Sequence, residues 1–363
     1  MAASCTPDSN LSNVLRSSAF LVVAALAGAA VGCSESKPKV VLYSAQDPEF
    51  AEEVLPDFTQ QTGLHVATKY DTEANKSVSL YAELIQEKNR PRCDVHWNNE
   101  ILATIRLQRQ GLLEPYESPA AATYPAWTKA KDHTWQAFAS RARVLLINTK
   151  MLPDAQKRPR SLLDLTDARW KGKVGMAKPQ FGTTATQVAC LFEVLGADKG
   201  KEFYRGLREN GVQLVAGNKQ AAQGVSEGQF AVGMTDTDDA IIEVLAGRPV
   251  AIILPDRDGH PDHPRMGTLF IPNTLAVIRA CPNPEGAHKL VDYLLGAPVE
   301  KKLAESESHQ IPLNPKVQAA LPKEIERPEG AGGTVKPMQV DFEKAADLWD
   351  EVQSFLRNEI AGG

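Results

Sequence analysis

Three aspartates crowd into four positions, Asp236, Asp238 and Asp239. They follow an apolar run that ends at Met234 and precede a second apolar segment that begins at Ala240. Acids at a strand-to-helix junction commonly cap the helix and favour its positive end. Three are more than capping needs, and closely spaced carboxylates repel one another unless a cation or protons intervene. Hard oxygen donors of this kind suit Fe³⁺, Ca²⁺, Mg²⁺ or Mn²⁺. At least one of Asp238 and Asp239 is therefore expected to contact a metal, with Asp236 a ligand-binding neighbour. Adjacent residues on a regular helix diverge by about 100°, so both can face one ion only where the junction backbone is irregular.

Other residues point to anion chemistry. Gly182-Thr183-Thr184 precedes an apolar helix and offers backbone N–H groups together with hydroxyls, as helix N-termini that bind anions do. Arg141 and Arg143 lie two apart on a strand. One is expected to reach a cleft and grip an anion bidentately, and the other to lie at the surface. Asn98 and Asn99 follow the apolar strand Cys93-Asp94-Val95-His96-Trp97, within which His96 reads as a core or rim histidine. The loop over 256–264 holds only a fragment of a calcium-loop pattern and reads as solvated. Asp236-Thr237-Asp238 superficially resembles the nucleophile motif of haloacid-dehalogenase-type phosphatases, in which the first aspartate attacks phosphorus. That motif should open its domain, whereas here it lies two-thirds along the chain. A phosphohydrolase is the remote alternative; no catalytic residue is assigned and no enzyme activity is expected.

Positioning such groups takes alternating strands and helices. Val40-Val41-Leu42-Tyr43 reads as a strand. Asp47-Pro48 then starts a helix carrying Phe50, Val54 and Phe58 that ends near Thr62-Gly63. A strand over 64–70, a helix over 77–88, the strand at 93–97 and a helix bearing Ile101, Ile105 and Leu112 follow. Repeated β-α-β units imply a largely parallel sheet covered on both faces, with ligands beyond the carboxyl ends of the strands. After a loop over 115–132 and a strand over 143–148, a second βα series runs to about Phe270. Helices close the chain at 285–295 and 342–359, the latter with Ala345, Leu348, Val352 and Leu356 on one stripe.

The setting is read from the start of the chain. Residues 17–32 form an apolar run of small and aliphatic residues that ends on Cys33, a secretory h-region. It is too short and too rich in Ala and Gly for a confident membrane span, which needs about 20 apolar residues. The pattern resembles a bacterial lipoprotein signal, which implies removal of residues 1–32, lipidation of Cys33 and a periplasmic, membrane-anchored protein. The net charge of −5 offers no basic stripe, so nucleic acid is not an expected partner. Cys93, Cys190 and Cys281 are too scattered for a zinc site or a disulfide framework and read as small buried hydrophobes.

Several segments in order resemble the periplasmic ferric-iron-binding proteins of ABC transporters, within the wider two-lobed solute-binding family. Among them are Val41-Leu42-Tyr43-Ser44-Ala45-Gln46, Phe58-Thr59-Gln60-Gln61-Thr62-Gly63, Ser140-Arg141-Ala142-Arg143-Val144 and Trp170-Lys171-Gly172-Lys173-Val174-Gly175. Gly228-Gln229-Phe230-Ala231-Val232-Gly233-Met234, Asn283-Pro284-Glu285-Gly286-Ala287 and Gln310-Ile311-Pro312-Leu313-Asn314 complete the match. The resemblance implies an α/β fold of two lobes with a hinge and an interlobe cleft, residues 38–142 with 272–363 forming one and 143–271 the other. It implies a monomer that hands its ligand to a membrane permease, with no cofactor required. Ser44 and Gln46 after the first strand, with Asn98 and Asn99, would line one jaw. By the same resemblance, Asp47 and Glu100 fall near the histidine and glutamate ligands of the relatives. Asp238 and Asp239 stand where those proteins carry a tyrosine pair. The first expected ligand is ferric iron or another hard cation with an accompanying anion. The second is a small anionic solute such as a phosphonate or sulfonate.

Overall fold

Phe50, Val54 and Phe58 recur every four residues, and helix α1 (Pro48–Thr62) turns all three into the core. Each side chain of this size, once buried, contributes about 1.5–3 kcal/mol. The chain is described by a computed structural model over residues 39–46, 48–71 and 79–360. The expected signal segment, Cys33 and Asp47 lie outside the described residues.

Strand β1 (Lys39–Ser44) runs parallel to β2 (His65–Tyr70) on one side and to β3 (Val95–Asn98) on the other. Helices α2 (Ser79–Gln86) and α3 (Ile101–Arg109) flank this group. Beside β3 lies β10 (Phe270–Ile278), antiparallel, with Asn98 opposite Thr274. The two-residue strand β4 (Leu113–Glu114) adds to its far end. The second group is β6 (Val174–Ala177), β7 (Gln213–Val215) and β8 (Val232–Asp236), all parallel. It carries helices α4 (Gly182–Leu195), α5 (Ala197–Glu209), α6 (Asn218–Ser226) and α7 (Thr237–Leu245), and the strand β9 (Val250–Ile253).

One strand joins the two groups. β5 (Gln136–Asn148) is buried along all 13 residues. Its first half pairs with β10, and from Arg143 onward it pairs with β8 and β9. The molecule is therefore a two-lobed α/β fold in which each lobe borrows half of one strand. Along the second half, Val144 and Leu146 face one core while Leu145 and Ile147 face another, as the period-2 pleat requires. The strand expected over 143–148 thus begins seven residues earlier.

A bulge interrupts β5 at Ala139, whose φ is +35°, where the β10 register shifts between Pro272 and Asn273. The buried Glu300 of helix α9 (Ala297–Glu305) accepts the Ala139 N–H at 2.7 Å, and also those of Leu313 and Asn314 at 2.7 and 3.0 Å. Asn273 Nδ2 donates to Ala139 O at 2.6 Å. One carboxylate and one amide thereby hold the crossing point between the lobes.

The second lobe packs closely. A Cβ at Gly175 would fall 2.3 Å from the Phe230 ring, so only glycine fits there. Ile311, Ile325 and Val335 also pack on this side, beside Val144 and Leu146. Helix α8 (Pro284–Leu294) covers β10 and β1. The C-terminal helix expected to be continuous breaks at Leu348 into α10 (Phe342–Asp347) and α11 (Trp349–Phe355). Cys93, Cys190 and Cys281 are buried and unpaired. Among the described residues no helix is long and apolar enough to cross a membrane.

Candidate functional site

The parallel strands β6, β7 and β8 end at the same edge of the second lobe, and each leads into a helix whose N-terminus faces one cavity of about 400 Å³. The caps are Phe181 for α4, Gly217 for α6 and Asp236 for α7, and none of them makes a side-chain capping bond. First-turn N–H groups have no partner inside their own helix. The wall thus carries three clusters of donors and the positive ends of three helix dipoles. Gly182 begins α4 at φ +55°, a left-handed conformation that glycine adopts without cost. Glu49, Phe50, Asn99 and Arg141 close the opposite side.

Beneath the wall lies a buried polar network. Arg143 donates to Asp236 Oδ1 at 2.8 Å, to Asn218 Oδ1 at 3.0 Å and to Gln187 Oε1 at 3.1 Å. Asp236 Oδ2 accepts from Thr183 Oγ1 at 2.5 Å and from Asn218 Nδ2 at 2.9 Å. Thr184 Oγ1 donates to Asn218 Oδ1 at 3.1 Å. The strand-end aspartate, both helix starts and the arginine form one unit. Arg143 Nη2 alone in this unit has no hydrogen-bond partner.

A second arginine joins the lobes. Arg141 donates Nε to Asp238 Oδ2 at 2.9 Å, Nη1 to Asn99 O at 2.7 Å and Nη2 to Gln46 Oε1 at 3.1 Å. Asp238 Oδ1 accepts the Asp239 N–H at 3.1 Å. Oxygens of Asp236, Asp238 and Asp239 lie within 4.8 Å of one another, close enough to share a cation. Two guanidinium groups already answer part of that repulsion, so a cation would compete with Arg141 and Arg143 for the same oxygens.

Of the residues expected from sequence, Asn99, Arg141, Gly182, Thr183, Thr184, Asp236, Asp238 and Asp239 line this cavity. Gln46 stands behind Arg141, and Ser44, at the end of β1, accepts the Gln46 N–H at 3.2 Å. Arg143 is as buried as Arg141, so the expectation that one of them lies at the surface fails. Residues two apart on a pleated strand share a face, which is why both turn inward.

Asn98 and Glu100 do not line the cavity. Asn98 Nδ2 donates to Glu100 Oε1 and to Thr104 Oγ1. Glu100, expected as a metal ligand, caps α3 by accepting the Leu102 and Ala103 N–H groups at 2.8 and 2.9 Å, and takes the Thr186 hydroxyl of α4 at 2.8 Å. Its carboxylate oxygens are turned to the helix and not to the cavity, and burial pushes its pKa up. His96 is a core residue, but neither ring nitrogen has a partner.

Sequence reasoning missed Asn218, Lys178 and Lys219, which also line the cavity. Asn218 sits in the turn Ala216-Gly217-Asn218, which follows a strand of only three residues and opens α6.

A family model described as "Bacterial extracellular solute-binding protein" matches residues 103–329. The major ferric iron-binding protein of Neisseria meningitidis is 26% identical over 320 residues, covering 86% of this chain and 93% of that one. Among solved structures, iron-bound HitA from Pseudomonas aeruginosa superposes with a TM-score of 0.77 at 22% identity, over 89% of this chain and 99% of its own. AfuA from Actinobacillus pleuropneumoniae, solved with fructose-6-phosphate, gives 0.73 at 22% identity over 90% and 99%.

Proposed function

The chain belongs to the bacterial extracellular solute-binding protein family, and on that premise we propose that it captures a small organic anion between its lobes and delivers it to the permease of an ABC importer. The observation that carries this reading is the convergence of three uncapped helix N-termini on one cavity. Donors and dipoles of this kind favour an anionic head group such as a phosphate, phosphonate or sulfonate. The arginines support it by balancing the acids: Arg143 faces Asp236, Arg141 faces Asp238, and Lys178 and Lys219 accompany Glu49 and Asp239 around the lining. A cavity of about 400 Å³ suits a small organic solute, since ligand pockets run from about 300 Å³ upward. The fold neighbour solved with fructose-6-phosphate is a protein whose ligand has this chemistry.

In this proposal residues 1–32 are the export signal, Cys33 is the lipid anchor and the protein acts as a periplasmic monomer. The lobes close by a hinge at the crossing near Ala139 and Arg143. Capture and release make and break no covalent bond, so no cofactor or catalytic residue is needed. A hard cation is the second reading, favoured by the clustered oxygens of Asp236, Asp238 and Asp239 and by the iron-binding relative.

Thermal unfolding of chelator-treated protein against a panel of sugar phosphates, phosphonates, sulfonates and ferric citrate separates the two. An organic anion should raise the midpoint by several degrees, as ligand at about 100 times its Kd adds about 2.7 kcal/mol. Near-stoichiometric metal in protein purified without chelator, together with a response to Fe³⁺ alone, would replace the anion by the cation. Iron-loaded protein should then lack an intense tyrosinate band, because among the described residues no tyrosine lines the cavity.

A further inference from the structure

The C-terminal residues 341–360 lie across both lobes. α10 packs on α3 of the first lobe and on α4 of the second, and α11 packs on α4. The two attachments differ in kind. Toward the second lobe, Val352, Phe355, Leu356 and Ile360 are buried, and the Phe355 ring lies 5.6 Å from that of Phe192. Lys201 and Arg205 of α5 pair there with Glu351 and Glu359 at 2.5 and 2.6 Å. Toward the first lobe, beside the buried Ala345 and Ala346 of α10, the side-chain contacts are polar and partly open to water. Arg109 donates to Glu343 O at 2.7 Å and pairs with Asp347, whose side chain is 65% exposed. Arg106 stacks between the rings of Tyr81 and Trp349, 4.5 and 4.9 Å from their centroids.

We propose that this segment is a strap that travels with the second lobe, and that its seam with α3, formed by Arg106–Trp349 and Arg109–Asp347, parts whenever the cleft opens. The inference rests on the hinge motion proposed above. Apolar burial is not screened by salt and holds one side, whereas exposed ion pairs are weak and screened. The seam is thus the weaker attachment. α3 and α4 also meet across the cleft through Glu100 and Thr186, so separating them draws α10 off one or the other. Residues Arg106, Arg109 and Trp349 do not line the cavity, yet in this proposal they set how much of the protein stands closed.

Hydrogen–deuterium exchange of the ligand-free full chain tests this. Raising salt from about 0.01 M to about 1 M shortens the Debye length from about 30 to about 3 Å. That change should speed exchange in residues 341–349 and in the cleft segments 98–103 and 182–187 together, while 350–360 stays protected. Arg109→Ala and Trp349→Ala, each tested singly at low salt, should speed the same segments about threefold or more. If 341–349 and 350–360 exchange as one block, the strap does not stay with the second lobe. If the cleft segments do not respond, the seam does not restrain opening. The salt series needs no variant, so a substitution that misfolds leaves the test intact. A missing solute is read by titration and not by exchange, which keeps failure of the functional reading separate.

Discussion

Arg143 and Asp236 form an ion pair at 2.8 Å in which the two side chains are only 1% and 5% exposed. The pair ties the strand that crosses between lobes to the strand end that caps α7. Its worth lies in mutual compensation, because each charge would be costly alone in that place.

Arg143→Met should therefore destabilise the protein by about 3–5 kcal/mol, since it strands a buried carboxylate. Adding Asp236→Asn should recover much of that loss, because it removes the uncompensated charge. Urea unfolding of the two variants and the wild type measures both steps. A double variant no more stable than Arg143→Met would mean that the arginine acts by packing and not by charge.

His96 makes stability depend on pH. Burial lowers its pKa from 6.5 to about 4, and neither nitrogen has a partner that would favour the charged ring. The unfolded chain therefore takes up a proton between pH 6.5 and 4 that the folded chain refuses. The stabilisation is fully present above pH 6.5 and is lost as pH falls toward 4, reaching about 3 kcal/mol by linkage. His96→Leu should remove this slope. The difference between wild type and variant, followed from pH 7 to 4.5, cancels the titration of unrelated carboxylates. A difference that stays flat with pH refutes the assignment.

Glu300 should matter out of proportion to its distance from the cavity. Glu300→Ala leaves the N–H groups of Ala139, Leu313 and Asn314 without their acceptor, at a cost of about 2–4 kcal/mol. The loss falls at the crossing between lobes, so protease sensitivity should rise at 136–142 and 311–314 before it rises elsewhere. Uniform sensitivity along the chain would show that the carboxylate supports overall stability and not the crossing.

Features set by local sequence were the legible ones. The acids at Asp236–Asp239 and the Gly182-Thr183-Thr184 turn both sit at strand-to-helix junctions, where a switch in hydrophobic period marks the boundary. α1 was readable for the same reason. Features set by distant partners were not. β10 holds Pro272, which argues against a central strand, but the proline sits where the register shifts and its missing N–H costs little. Glu100 enters as a ligand through the resemblance alone, and its capping of α3 depends on where that helix begins. The break at Leu348 lies inside an unbroken apolar stripe, so periodicity gives no sign of it. Asn218 follows a strand of three residues, too brief to announce the turn that places it.

The pairing of Asn98 with Thr274 governs how the molecule comes into being. While the chain is being translated, β3 has one neighbour in β1 and must wait for β10, encoded much later, to cover its other side. The early third of the polypeptide thus carries an open strand flank that could recruit another molecule. Such late, long-range closure slows folding relative to a chain whose contacts are local.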